Sequence, residues 1–290
     1  MSRTLGGTIA TQLAAGKATL SRCVRLDLHD GTSFGITDHD ADLDVNLGDG
    51  SLTYEAGTGI IPSAISLSIG LEADNLEVRG PLTSLVTATA ILGGRFDRAE
   101  ARIFDADRGS SPLGHMALLR GNVGQARIEA GEFVLEIRSV ADAFNQTIGR
   151  VLSPVCSHDL GDAKCGVDMT PYTFPAEVTA LSDETLFTVA YTGATPAAGQ
   201  LLFGKCVFLT GALAGTRPVE VFDHSAGAIR LWAPLAEQPQ VGDTLNLYAG
   251  CDKLRATCRD VFANAVNFGG APDAPGSAEY LKYAVPGTTA

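Results

Sequence analysis

Positive charge is scarce in this sequence of 290 residues, in which 21 Lys and Arg stand against 33 Asp and Glu. The formal net charge is −12, and no run of Lys or Arg stands out. Proteins that hold nucleic acid through its phosphates need the opposite sign, and an anionic membrane surface would also repel this chain. We therefore expect no sequence-specific nucleic-acid binding.

Long apolar runs are missing as well. No stretch reaches the roughly 18 apolar residues that predict a transmembrane helix, so we expect no membrane insertion. The first residues, Met1–Gly7, lack the sustained apolar stretch of a signal peptide. We therefore expect synthesis in a reducing cytosol, where six cysteines are more often thiols or metal ligands than disulfides.

The usual signatures of catalysis are also absent. The sequence contains no Gly-x-Ser-x-Gly elbow, no Gly-rich phosphate loop and no His-Glu-x-x-His pattern. His39 has carboxylates beside it, but no nucleophile is paired with it in the sequence. We therefore predict that the protein is not an enzyme.

What the sequence does contain is typical of a mainly β protein with many turns. Apolar residues make up 45% and glycine is frequent, at 33 residues. Cys23–Leu28 alternates with a period of two, and Asp30-Gly31 would turn it into a second strand, Thr32–Ile36. Further β-like runs are 51–55, 65–69, 101–105, 126–129 and 132–138, and the helical candidates are 4–20, 84–92 and 140–148.

Pro154 marks a predicted change of domain. We assign residues 1–150 to a β-rich N-terminal domain and 151–290 to a C-terminal domain whose cysteine segments, 154–168 and 250–270, bracket a β region, 171–249. Turns with Gly or Pro separate short strands in this region, which favours a small β-barrel or sandwich. The six predicted strands are 174–178, 186–189, 206–210, 219–222, 229–232 and 244–248.

Two cysteine pairs, far apart in the chain, are the main functional candidates. Cys156 and Cys165 have eight residues between them, and Cys251 and Cys258 have six. Four converging thiolates are the ligand set of a tetrahedral zinc or of an iron–sulfur cluster. These spacings are wider than the short knuckles of zinc fingers, which favours a cluster, while buried free thiols and disulfides remain alternatives.

A short helix is predicted beside the second pair. Thr257 can cap it, with Asp260 three positions later, and the helix would run to about Val266. Cys258 would then lie at its first position, where exposed amides and the helix dipole face an anionic cluster. Loop glycines at 161, 166 and 250 would let the backbone approach the sulfides closely.

Other polar and sulfur-bearing residues have simpler interpretations. Cys23 and Cys206 lie in apolar strands and are interpreted as core thiols, while His158 is a further candidate ligand or hydrogen-bond donor. Asp38, Asp40, Asp42 and Asp44 recur at every second residue, so an extended chain would place them on one face. The positions of Gly and Glu that an EF-hand requires are not met, so we interpret this stretch as an acidic edge or a subunit contact.

Several strings occur together in this chain and carry a resemblance to a known family. They are Phe34–Leu43, Ala73–Gly80, Leu160–Asp168, Cys251–Asp260 and Asn264–Gly270. Through them almost the whole sequence resembles the baseplate hub protein of long-tailed phages and gene transfer agents. Its C-terminal part is similar to the lambda-type minor tail protein of the tail tip.

This resemblance implies a structural protein of the virion tail tip, or baseplate, that is assembled in the host cytoplasm. It implies tube-like N-terminal domains and a C-terminal 4Fe–4S cluster on Cys156, Cys165, Cys251 and Cys258, with zinc as the alternative. The implied partners are a ring of distal tail proteins, a tail-tip or fibre-bearing megaprotein and the tape-measure protein, with the chain as a homotrimer. A zinc- or cluster-bearing redox or hydrolytic module of a tail machine is the alternative function.

Overall fold

The computed structural model describes residues 7–17, 19–56, 61–62, 75–84, 86–110, 113–145, 148–149, 151–225 and 227–273. The chain forms two compact units. The first comprises Met1–Thr147 with Ala212–Arg217, and the second comprises Ile148–Gly211 with Pro218–Ala290. Within the described ranges, no helix combines the length and the apolar character needed to cross a membrane.

The first unit is built on a nine-stranded sheet with the strand order β3-β4-β2-β1-β7-β8-β9-β6-β5. Its strands are β1 (Leu20–Asp27), β2 (Ser33–Thr37), β3 (Leu43–Asn46), β4 (Ser51–Glu55), β5 (Ile61–Pro62), β6 (Asn75–Pro81), β7 (Glu100–Asp107), β8 (Gly114–Glu129) and β9 (Glu132–Ser139). Its helices are α1 (Gly7–Ala14), α2 (Ala88–Leu92) and a 3₁₀ helix (Val140–Asn145).

Two hairpins of this sheet have turn residues that favour a tight turn between antiparallel strands. β1 pairs antiparallel with β2 around Asp30-Gly31, which confirms the hairpin predicted there. The predicted runs 126–129 and 132–138 form the end of the β8–β9 hairpin. Its two turn residues, Ala130 and Gly131, have φ of 51° and 83°, the left-handed conformation that a tight hairpin turn needs.

The core of the first unit forms where the alternating residues of neighbouring strands point to one side of the sheet. Leu26, Ile103, Leu135 and Ile137 are fully or almost fully buried in this cluster together with Phe96, which precedes β7. Each large side chain of this kind contributes about 1.5–3 kcal/mol through the apolar surface it removes from water. The alternation of apolar residues that predicts the strands therefore also places these side chains in the core.

The helices of the first unit are shorter than predicted. The helix expected at 84–92 is confirmed only from Ala88, because the Thr87 side chain accepts a 3.1 Å hydrogen bond from the amide of Ala90 and so caps the helix there. The candidate at 140–148 is a 3₁₀ helix that ends at Asn145. The β-like run predicted at 65–69 lies outside the described residues.

The second unit contains a closed barrel of six strands with the order β10-β11-β14-β13-β12-β15. Its strands are β10 (Thr173–Leu181), β11 (Leu186–Tyr191), β12 (Lys205–Phe208), β13 (Val219–Ser225), β14 (Ala228–Leu231) and β15 (Thr244–Tyr248). All six predicted strands are thus confirmed, and the sheet closes as a barrel rather than a sandwich. Outside the barrel lie α3 (Arg255–Asp260) and two 3₁₀ helices, Thr170–Tyr172 and Ala265–Asn267.

The barrel interior is filled by the inward-facing residue of each alternating pair. Phe187, Leu245 and Leu247 are fully buried, and the Phe187 ring lies 5.9 Å from that of Phe208. β15 closes the barrel by pairing antiparallel with both β10 and β12. Because closure leaves no free sheet edge, all six strands depend on one another.

One buried contact should make the barrel sensitive to pH. The amide of Leu201 donates a 3.2 Å hydrogen bond to Nε2 of His224, so that nitrogen must be unprotonated. Burial lowers the pKa of His224 below its usual value. The stabilisation is therefore present above the unfolded-state pKa and is lost as the pH falls through the lower folded-state pKa.

We expect the free energy of unfolding of the barrel to decrease between about pH 7.5 and 5.5, by a component that a His224→Gln variant lacks. Denaturant unfolding at both pH values, followed for wild type and variant, measures this difference. A pH dependence that is the same in the two proteins would contradict the role of His224.

Candidate metal centre

The barrel determines where the two cysteine pairs meet. β10 and β15 are antiparallel neighbours, with Thr173 opposite Tyr248. The start of β10 therefore lies beside the end of β15, and the pairing continues outward because the amide of Ala249 donates to the carbonyl of Tyr172 at 2.9 Å. The segment that precedes β10 and the segment that follows β15 consequently leave the barrel at the same end.

All four predicted cysteines line one small cavity at this end of the barrel. They are Cys156, Cys165, Cys251 and Cys258. Cys165 and Cys258 are 8% exposed, and Cys156 and Cys251 are partly buried. The other walls of the cavity are largely apolar and comprise His158, Leu160, Val167, Lys253, Leu254, Phe262 and Asn267.

The structure by itself does not show a metal site among the four thiols. The described part of the chain contains no group of three or more His, Cys, Asp or Glu side chains placed to hold one metal ion. A single zinc ion would need its sulfurs at about 2.3 Å from one point. The four cysteines line one cavity, and the metal site on them stays a prediction.

The thiols are nevertheless close enough to influence one another. All six cysteines of the chain are free thiols. Burial raises the pKa of Cys258, and the neighbouring sulfurs of Cys251, Cys156 and Cys165 raise it further. The pKa of Cys251 is also raised, chiefly by burial. A cationic group bound among them would reverse this preference, since it favours the thiolates.

Lys253 joins the segments that carry the two pairs. Its carbonyl accepts a 2.9 Å hydrogen bond from the amide of Cys156. Its ammonium group donates to the carbonyl of His158 and lies 3.0 Å from a carboxylate oxygen of Asp159. Lys253 itself has a φ of 63°, which is unusual for a residue with a side chain.

The turn around Cys165 is organised by a neighbouring carboxylate. Oδ1 of Asp162 accepts hydrogen bonds from the amides of Lys164 at 2.9 Å and Cys165 at 2.6 Å. The pKa of Asp162 lies below its usual value, principally because of the hydrogen bond from the Cys165 amide. The carboxylate therefore stays ionised and fixes the backbone of this cysteine.

The helix beside the second pair differs from the prediction. α3 begins at Arg255 with Leu254 as its N-cap residue, and in the preceding loop Oδ1 of Asp252 accepts from the amide of Leu254 at 2.9 Å. Thr257 lies inside the helix, and its hydroxyl donates to Oδ2 of Asp252 at 2.7 Å. The prediction that Thr257 caps the helix and that Cys258 occupies its first position is wrong.

Cys258 is the fourth residue of α3, and its amide donates to the carbonyl of Leu254 within the helix. No amide at this position is therefore left to face a bound group. The helix ends at Asp260 rather than near Val266, and a separate 3₁₀ turn, Ala265–Asn267, follows.

Gly250, one of the predicted loop glycines, lies at a close contact between two backbone segments. A Cβ on Gly250 would lie 1.7 Å from the carbonyl oxygen of Leu202 and 2.4 Å from the amide nitrogen of Gly204. Gly161 and Gly166 have φ of 81° and 68°. Gly250 is therefore required by the close approach of two backbone segments next to Cys251.

The remaining sequence candidates are two core cysteines and His158. Cys23 is buried in β1, and burial raises the pKa of its thiol to about 11. Cys206 is buried in β12, where burial also raises the pKa. His158 lines the cysteine cavity, but its Nδ1 donates to the carbonyl of Asn267 at 3.2 Å.

The acidic stretch is exposed but is not an extended strand throughout. Asp38, Asp40 and Asp42 lie in the bends between β2 and β3, and only Asp44 lies in β3. Their carboxylates have local partners: Asp38 accepts from the amide of Arg22 at 2.8 Å, Asp42 from Ala56 at 2.8 Å and Asp44 from the hydroxyl of Thr53 at 2.6 Å. The expectation of four carboxylates on one face of an extended chain is therefore wrong.

Models of two protein families match different parts of this sequence. The family described as "Baseplate hub protein, N-terminal attachment domain" matches residues 7–168, more than half of the chain. A second family, described as "Phage conserved hypothetical protein BR0599", matches residues 199–278. Among curated proteins, none matches this sequence.

A solved structure matches almost the whole chain. It comes from the "virion of native gene transfer agent (GTA) particle", and it is 31% identical in sequence with a TM-score of 0.83. The match covers 98% of this chain and 98% of the other.

The close approach of the Leu202 carbonyl to Gly250 can be tested by substitution. We expect Gly250→Ala to lower the free energy of unfolding by at least about 1–3 kcal/mol, because the backbone of Leu202 or the loop that carries Cys251 must move. Denaturant unfolding measures the loss.

Gly193→Ala is the matched control, since a Cβ there meets nothing nearer than Cδ of Pro175 at 3.9 Å. It should change the free energy of unfolding by no more than about 0.5 kcal/mol. If both variants were as stable as the wild type, the packing requirement at Gly250 would be refuted.

Proposed function

This chain belongs to the baseplate hub protein family, and from that membership we propose that it is a structural, non-catalytic hub in the tail tip of a phage or gene transfer agent particle. The observation that carries the proposal is the family match over residues 7–168 together with the full-length structural match to a chain of a gene transfer agent virion. The hub would connect a ring of distal tail proteins to the proteins of the tip.

We further propose that the four cysteines hold a 4Fe–4S cluster. In support, Cys156, Cys165, Cys251 and Cys258 line one cavity whose walls are otherwise largely apolar. A cluster binds four cysteine sulfurs around a larger core than a single zinc ion does, and the spacings within the two pairs are wider than those of zinc knuckles. When bound, the cluster supplies a cross-link between the two cysteine segments.

Such a cross-link would stabilise the folded state by lowering the conformational entropy of the unfolded chain. Along the chain the two segments are separated by the whole barrel, since the residues between Cys165 and Cys251 include all six of its strands. Closing so long a loop restricts the unfolded chain strongly. Metal binding that occurs only in the folded state adds its free energy to folding.

The surface near the cysteine segments suits contact with other subunits. Val151 is 85% exposed, Leu152 74% and Val266 97%. Exposed large aliphatic side chains of this kind are available for contact with a partner subunit. We propose that such surfaces meet the tail-ring proteins, a tail-tip or fibre-bearing megaprotein and the tape-measure protein, and that the chain is present as a homotrimer.

The net charge of the chain is compatible with a position around a channel for DNA. A net charge of −12 repels DNA, so a channel lined by this protein would let DNA pass without binding it. We propose that the exposed carboxylates of Asp38, Asp40, Asp42 and Asp44 face such a channel.

We expect protein produced with an iron supply and purified without oxygen to be brown and to contain about four irons per chain. Cys258→Ser should lose the iron and destabilise the second unit, because one ligand and the cross-link are removed. Iron analysis, visible absorbance and thermal unfolding report these effects.

Cys23→Ser is the control, because it also replaces a buried thiol but lies in the first unit. It should keep the iron. A colourless wild-type protein with one tightly held zinc would refute the cluster while preserving the cross-link.

A reconstruction of the assembled particle tests the position of the chain. We expect three copies at the tail tip, docked on the ring of distal tail proteins. The hub proposal would be abandoned if the particle held a single copy, or if the chain occurred only in the producing cell and never in particles.

A further inference from the structure

The segment Asn264–Gly269, which follows α3, contacts three of the four cysteines. The amide of Asn264 donates to the carbonyl of Cys258 at 2.9 Å, and its carbonyl accepts from the Cys258 thiol at 3.2 Å. Its side-chain nitrogen donates to the carbonyl of Cys165 at 2.6 Å and lies 3.7 Å from the Cys165 sulfur. The amide of Gly269 donates to the sulfur of Cys156 at 3.2 Å.

Asn264 thus touches one cysteine from each pair. Cys165 and Cys258 are far apart in the sequence, and this one residue bonds to the backbone of both. Neither cysteine can change its backbone position relative to the other without breaking a hydrogen bond to Asn264. Residues that orient ligands in this way commonly determine the geometry of a metal site.

The orientation of the Asn264 amide is itself fixed. Nδ2 of Asn267 donates to Oδ1 of Asn264 at 2.7 Å, so the Nδ2 group of Asn264 must point the other way, towards Cys165. The carbonyl of Asn267 in turn accepts from Nδ1 of His158, two residues after Cys156. The N–H groups of Asn264 are therefore held towards the Cys165 carbonyl and sulfur.

We propose that Asn264 is a positioning residue that holds Cys165 and Cys258 in register and donates an N–H group to the Cys165 sulfur. This inference rests on the proposed cluster. Hydrogen bonds to cysteine sulfurs stabilise the more negative, reduced state of an iron–sulfur cluster and so raise its reduction potential. Asn264 should accordingly affect the potential as well as the retention of the iron.

Asn264→Asp is the sharpest substitution, because it keeps the shape of the side chain and replaces the N–H donor with an anionic oxygen. This oxygen would face the carbonyl and the sulfur of Cys165. We expect the equilibrium between the oxidised and reduced protein to shift at least tenfold towards the oxidised state, which is about 59 mV for a one-electron couple. We also expect faster loss of iron to a chelator.

Asn246→Asp is the matched control. It makes the same chemical change in the same unit, but Asn246 lies in β15 and does not line the cysteine cavity. It should leave the potential and the rate of iron loss close to those of the wild type. If Asn264→Asp fails to retain iron, Asn264→Ala removes the donor without adding a charge and is expected to shift the potential in the same direction.

The measurements are iron content, chelator kinetics and a redox titration followed by electron paramagnetic resonance on the full chain. A purely structural role for Asn264 would lower the iron content without moving the potential of the remaining loaded protein, so an unchanged potential in an iron-loaded Asn264 variant overturns the inference. Wild-type protein that binds no iron overturns the proposed cluster itself. The two failures are therefore distinguishable.

Discussion

The pairing of β10 with β15 is the contact on which the rest of the second unit depends. These strands lie at opposite ends of the barrel sequence, yet Thr173 lies opposite Tyr248. Their pairing closes the barrel and brings the segments before and after it to one end. Without this register the four cysteines would belong to two unrelated loops.

Much of the barrel can be predicted from the sequence, because most of its strands alternate between buried and exposed residues and are separated by turns with Gly or Pro. The burial of Phe187, Leu245 and Leu247 follows from that alternation. The helix starts are harder to predict, because several residues in one loop can act as a cap. Thr257 is a possible cap in the sequence, but the helix begins two residues earlier, at Arg255, and the Thr257 hydroxyl donates to Oδ2 of Asp252.

Of the residues at the candidate site, only the four cysteines that could bind a metal can be predicted from the sequence. Cysteine spacing indicates which residues can hold a metal, and all four predicted cysteines line one cavity. The residues that orient them, such as Lys253 and Asn264, are ordinary polar residues with no special spacing. Their roles come from backbone contacts made between distant segments, as when the carbonyl of Lys253 accepts from the Cys156 amide. Such contacts exist only after the barrel has formed.

The order of the segments along the chain has a consequence for biosynthesis. Cys156 and Cys165 leave the ribosome first, and all six barrel strands are translated before Cys251 appears. At the usual rates of translation this interval is on the order of ten seconds, which is long compared with the folding of a small barrel. The first two thiols are therefore exposed on a growing chain without their partners. Their protection from oxidation during this interval depends on the reducing environment of the cell and not on the protein's own fold.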